Sequence, residues 1–143
     1  MNDVVVFRSD SFSLENTVVN GMTADLPLGL DLAEDLRGRI ARHAPHLRLN
    51  EPIWEDWGTV LRVKDGREQY LLEVHWLGFS GVRNLWGIRF ARSRGCLLAL
   101  FGGRTRPEEC RPVQAIVAKV LDEDPQFFHQ IEWLSQAAYQ ERF

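Results

Sequence analysis

The chain is poor in lysine and in cysteine. Of its 143 residues two are lysine, against fifteen arginine, and two are cysteine, Cys96 and Cys110. Two cysteines outside any CxxC spacing form neither a disulfide framework nor a zinc ligand set, and both are read as reduced thiols. No stretch approaches the ~18 consecutive apolar residues of a membrane-spanning helix. Residues Met1 to Arg8 hold no basic leader, and the apolar run Val4 to Phe7 is short, so no secretory signal is expected. The expected location is the cytoplasm. A net charge of −3 gives no general attraction to nucleic acid.

What is present is ordinary globular material, 45% apolar and 26% charged. A chain of this length suits one domain, residues 1–143, with an adequate core. The arginine excess is read as codon usage of a GC-rich bacterial genome. Charge is unevenly placed. Residues 1–80 hold thirteen acidic and eight basic groups, whereas residues 81–111 hold seven arginines against Glu108 and Glu109.

Val4 to Arg8 reads as a strand. Asn20-Gly21 is a turn signal, and Phe12 to Leu14 could add a short edge. Asp31 with Glu34 makes a capping-box pattern for a helix, and Leu32, Leu36 and Ile40 share its inner face. Pro45 ends that helix near His43 or Ala44. Asp65-Gly66 is a favoured hairpin turn. Pairing Lys64 with Arg67 sets Leu61 against Tyr70, Thr59 against Leu72 and Trp57 against Val74, all on one face. The helices are expected to cover the face bearing Trp57, Leu61, Tyr70 and Leu72.

Asn84 to Arg92 alternates Trp86, Ile88 and Phe90 with Leu85, Gly87, Arg89 and Ala91. Cys96 to Phe101 is a continuous apolar run, expected for a strand covered on both faces. Thr105 with Glu108 is a second capping-box pattern, followed by a firm helix over Val113 to Leu121. Asp124-Pro125 looks like the start of a last helix, with Phe127, Phe128, Ile131, Leu134 and Ala138 inside. The sum is an α+β domain: a mainly antiparallel sheet of about five strands with about three helices packed on one face.

Few constellations carry chemistry. The hairpin register places Asp56 across from His75 and Glu73 opposite Gly58. A carboxylate there can orient the imidazole, but no nucleophile or metal partner joins them. His43 and His46 flank a helix-breaking proline, and His129 stands alone. Gly78-Phe79-Ser80-Gly81 lacks the closing glycine and the strand–turn–helix context of a nucleophile elbow. Gly102-Gly103-Arg104-Thr105 lacks the spacing and lysine of a phosphate loop. No catalytic residue, cofactor or metal is expected. The arginines at 83, 89, 92, 94, 104, 106 and 111 are divided between faces by strand alternation, and they lack the interleaved aromatics of single-strand binding. Five tryptophans are a generous supply. Trp54, ringed by Glu51, Glu55 and Asp56, is either an ordinary packed side chain or, if exposed, an interface anchor.

The stretch Glu51-Pro52-Ile53-Trp54-Glu55-Asp56-Trp57-Gly58 resembles the signature of a group of small uncharacterised bacterial proteins that share Glu-Asp-Trp-Gly before a hairpin. The similarity extends to the helix Leu32 to His43 and to Asp124-Pro125 followed by Ile131-Glu132-Trp133. Thr59 stands where that group usually has an aromatic. The resemblance implies structure and no activity.

The reading is a non-enzymatic module whose partner is another protein, most concretely an immunity protein that neutralises a cognate bacterial toxin. Its interface residues would be Trp54, Glu55, Asp56, Glu73, His75, Arg89, Arg92 and Arg94. No membrane or nucleic-acid partner is expected. An Arg-lined binder of a small anion or nucleic acid ranks second, and a small enzyme using Asp56 and His75 third.

Overall fold

The computed structural model describes residues 3–12, 18–19, 22–23, 29–55, 58–93 and 107–143. The expectations for Asn20-Gly21, Asp56, Trp57, Arg94, the run Cys96 to Phe101 and the Gly102 to Thr105 turn lie outside those residues.

An antiparallel meander forms the centre. β6 (Gly58–Asp65) turns into β7 (Glu68–Trp76), which pairs with β8 (Leu85–Ser93). β1 (Val4–Arg8) lies between β8 and β9 (His129–Leu134), antiparallel to both. On the far edge of β6 lie two short strands, β4 (Arg48–Leu49) and β5 (Ile53–Glu55). The order is β4-β6-β7-β8-β1-β9, with β5 beside β6. The sheet thus has seven strands among the described residues, not about five. A separate pair, β2 (Val18–Val19) and β3 (Met22–Thr23), stands apart from it.

The hairpin register differs from expectation by two residues. Asp65 pairs with Glu68, Val63 with Tyr70, Leu61 with Leu72 and Thr59 with Val74. The loop is Gly66-Arg67, with Gly66 at φ 60 and no positive φ at Arg67. This is the II′ pattern, glycine at the first central position, whereas the sequence also fits a turn centred on Asp65-Gly66. Moving the turn by one residue moves the register by two, which keeps every side chain on its face. Glu73 therefore opposes Val60 and not Gly58.

One sheet face is covered by two helices, α1 (Leu30–His43) and α2 (Arg111–Glu123). Leu32, Ala33, Leu36 and Ile40 of α1 meet Val113, Val117, Val120 and Leu121 of α2 over Val5, Phe7, Leu61, Leu72, Val74, Trp86 and Ile88. Tyr70 also lies in this core, so Leu61, Tyr70 and Leu72 mark the covered face as expected. Asp31 does not cap α1. Gly29 does, at φ 104, and a Cβ added there would lie 3.2 Å from Val74 Cγ1, so the missing side chain also permits the close approach. Asp31 sits in the first turn and accepts from the Leu32 amide. Pro112 is accommodated in the first turn of α2, where its missing N–H has no helical partner to lose.

Past α2 the chain departs from the expected helix. Asp124 closes α2, and its carbonyl accepts from the amides of Phe127 and Phe128. The next six residues are β9, and only Gln136–Arg142 are helical (α3), capped by Ser135 Oγ accepting from the Ala138 amide. The spacing of Phe127, Phe128, Ile131 and Leu134 fits a helix, but Ile131 and Trp133 also alternate with Gln130 and Glu132. Pairing with β1 decides between them. α3 lies on the sheet face opposite α1 and α2, where Tyr139 and Phe143 pack on Val4, Val6, Leu77 and Leu85. The helices therefore cover both faces, not one.

Two ties, one of buried rings and one part-buried and ionic, lock the helical layer. Phe7, Phe12, Phe127 and Phe128 cluster beside Trp86, with Phe7 edge-on to Phe128 at 5.5 Å. Arg39 of α1 donates to Asp35 at 2.7 Å and Asp124 at 3.1 Å, and its guanidinium lies over the rings of Phe127 and Phe128. No helix among the described residues is long and apolar enough to cross a membrane.

Candidate interaction surface

The exposed large apolar side chains among the described residues are Ile53, Trp54 and Phe79, at 39%, 51% and 65% exposure. Topology brings them to one end of the sheet. β5 runs out, and Glu55 pairs with Gly58 as the chain returns into β6. The connection from β7 to β8, which carries Phe79, leaves from the same end.

β5 is built to stay outside. Pro52 precedes it and cannot donate to a ladder, so β4 and β5 remain separate short pieces of one edge. Its three residues are all exposed, as is Glu51. Gly58 permits the close return: a Cβ there would lie 2.4 Å from the Val74 carbonyl oxygen. The edge therefore offers Ile53 and Trp54 between the carboxylates of Glu51 and Glu55. Interface anchors have this arrangement, a large amphipathic ring with polar groups around it.

Phe79 is held by a tight 3₁₀ turn, Gly78–Ser80. A Cβ at Gly78 would lie 2.0 Å from the Trp76 ring, so the turn packs directly on the indole. The Trp76 indole donates to the Arg83 carbonyl at 2.7 Å, and Ser80 Oγ donates to the Leu77 carbonyl at 2.7 Å. Gly81, at φ 100, closes the turn. Four local restraints thus fix a loop whose projecting side chain is an exposed phenyl ring. In the sequence Phe79 stands out only as part of Gly78-Phe79-Ser80-Gly81, an incomplete nucleophile elbow, and not as an exposed ring. Its signal was available in two glycines bracketing an aromatic residue within a connection.

The other expected residues are dispersed. Glu73, His75 and Arg89 come together on the sheet face that carries α3. His75 Nε2 lies 3.7 Å and Arg89 Nη1 3.9 Å from Glu73 Oε2. The contact with His75 holds the Glu73 carboxyl below its ordinary range, against the opposing effect of burial, and Arg89 adds to it. Tyr139 of α3 reaches this cluster over Gly87, and burial raises its hydroxyl pKa. Carboxylate, imidazole and guanidinium here balance one another across neighbouring strands. Among the described residues no group of three His, Cys, Asp or Glu side chains could hold a metal ion.

Arg92 lies on the helix-covered face and at the opposite end of the sheet, paired with Glu68. Arg89 and Arg92 therefore point to different faces and do not converge. Asp56 and Arg94 lie outside the described residues. The structure thus places Trp54, Glu55 and the unforeseen Phe79 at one end of the sheet, and separately gathers Glu73, His75 and Arg89. The chain matches no protein-family model, no curated protein and no solved structure.

Proposed function

We propose that this chain is a non-enzymatic protein-binding module that engages its partner through Trp54 and Phe79 at one end of the sheet. The observation that carries the reading is the exposure of Ile53, Trp54 and Phe79 at a single end of the sheet. Burying a large aromatic ring in a partner pocket supplies most of the affinity of many interfaces. Glu51 and Glu55 supply charge at the rim, which steers encounter with a basic partner. The shortness of β5 and the proline before it disfavour strand addition, so recognition rests on side chains. In its most concrete form the module is an immunity protein that neutralises a cognate bacterial toxin.

The test is a comparison of captures. Tagged wild-type protein, Trp54→Ala and Phe79→Ala are each incubated with lysate of the native host. The wild type is expected to retain one stoichiometric partner. Each variant should bind it at least about 30-fold more weakly, about 2 kcal/mol, with an unchanged melting temperature. For the immunity form, that partner should arrest bacterial growth when expressed alone and lose this effect on co-expression. Equal retention by wild type and both variants would remove this surface from consideration.

A further inference from the structure

A groove runs along the outer side of α1. Glu34, Arg37, Gly38 and Ala41 form one wall and Leu47 and Leu49 the other, around a volume of about 380 Å³. Gly38 is exposed at mid-helix, and a Cβ there would meet only Arg42 Nη1, at an ordinary 3.9 Å. The chain's own packing does not require glycine at this position, although glycine weakens the helix. Close approach of another backbone is a physical use for it.

The charges on this face are arranged about the same residue. Glu34 and Arg42 are both exposed, and each stands four positions from Gly38. Among the described residues Glu34 has only a long ion pair, 3.8 Å, with Arg37. No carboxylate lies within ion-pair distance of Arg42 among the described residues.

We propose that the groove is a homodimer interface in which α1 packs antiparallel against α1 of a second copy, crossing at Gly38. A two-fold axis there sets Glu34 of each copy against Arg42 of the other, so both charge pairs form by symmetry. A parallel crossing would set like charge against like, so the charge pattern selects the antiparallel one. Gly38 and Ala41 allow the helices to approach at the short end of the ~8–10 Å range for packed helices. The aliphatic stem of the incoming Arg42 then covers Leu47 and Leu49 while its head reaches Glu34. β4 borders this groove and pairs with the far end of β6 from β5. Trp54 and Phe79 therefore stay open in the dimer, and the proposal stands independently of the partner surface.

The experiment is sedimentation velocity of the full chain from low to high micromolar concentration. A reversible monomer–dimer equilibrium is expected. Gly38→Leu should abolish the dimer. Glu34→Arg and Arg42→Glu should each weaken it by about tenfold or more, and the double exchange Glu34→Arg/Arg42→Glu should restore it. The charge variants are surface changes and keep the test valid if Gly38→Leu folds poorly. A monomer at every concentration overturns the proposal and leaves the groove to a different occupant. So does a dimer that is indifferent to Gly38→Leu and to charge reversal.

Discussion

Glycines at three positions serve different physical ends, and substitution separates them. At Gly58 an added methyl would overlap the Val74 carbonyl oxygen, a backbone atom that cannot swing aside. Gly58→Ala is expected to destabilise the fold by about 1–3 kcal/mol. At Gly38 nothing stands in the way, and Gly38→Ala should stabilise the monomer by about 1 kcal/mol through helix propensity alone. Urea denaturation of the two variants checks both signs. Opposite shifts of the midpoint are expected, and a loss of stability in Gly38→Ala would show an undetected role for its backbone. Gly78 differs from both, since it is the face on which Trp76 rests. At this scale the sequence was partly legible. Trp54 stood out because carboxylates surround it in the chain. Phe79 did not, because exposure belongs to the folded sheet, and Phe7, Phe12 and Phe128, of the same residue type, are core.

The elements divide by how far their partners lie along the chain. α1, α2, the β6–β7 hairpin and β8 were legible, because each carries an apolar pattern of one period that local propensity supports. The turn of the hairpin was misplaced by one residue, since glycine in either central position satisfies a favoured turn. β9 was read as helix because its apolar residues satisfy both periods, and its identity depends on β1, which lies far away in sequence. Gln130, at φ 52, accompanies a shift in pairing between Val6 and Arg8 that no short-range rule foretells. The joint between α1 and the end of α2 is likewise non-local. Arg39 supplies two charge-assisted hydrogen bonds and covers two phenyl rings. Arg39→Ala is expected to cost about 2 kcal/mol. Arg39→Lys should recover only a minor part, because an ammonium group lacks the planar fork and stacks poorly. Thermal melts of the two variants test this; full recovery by lysine would reduce the contact to its charge.

For the molecule as a whole, the titrating groups set a window of stability. The Glu73 carboxyl titrates lower in the folded state than its ordinary 4.5. Its contribution is complete above that value and is lost as pH falls through the folded value. Cys110, 1% exposed, has a thiol pushed up by burial from 9.0 to about 11. Above pH 9 the unfolded chain releases this proton first, so stability falls as pH rises from 9 to about 11. Tyr70 and Tyr139, both raised from 10.0 by burial, act in the same direction. Stability measured against pH should therefore form a plateau with an acid and an alkaline shoulder. Cys110→Ser is expected to soften the alkaline shoulder, and Glu73→Gln the acid one. An unchanged alkaline limb in Cys110→Ser would assign that limb to the tyrosines.

The interior place of β1, between β8 and the edge strand β9, bears on how the sheet is assembled during synthesis. Val4 is translated well before its neighbours in the sheet, Arg89 and Leu134. A nascent chain can close the β6–β7–β8 meander soon after those residues leave the ribosome. Val4 to Phe7 must wait, apolar and unpaired, until β8 has emerged, and keep one open edge until β9 follows. A segment made before the rest of the sheet is thus among the last to be seated, and through that interval its protection falls to chaperones or to the speed of translation.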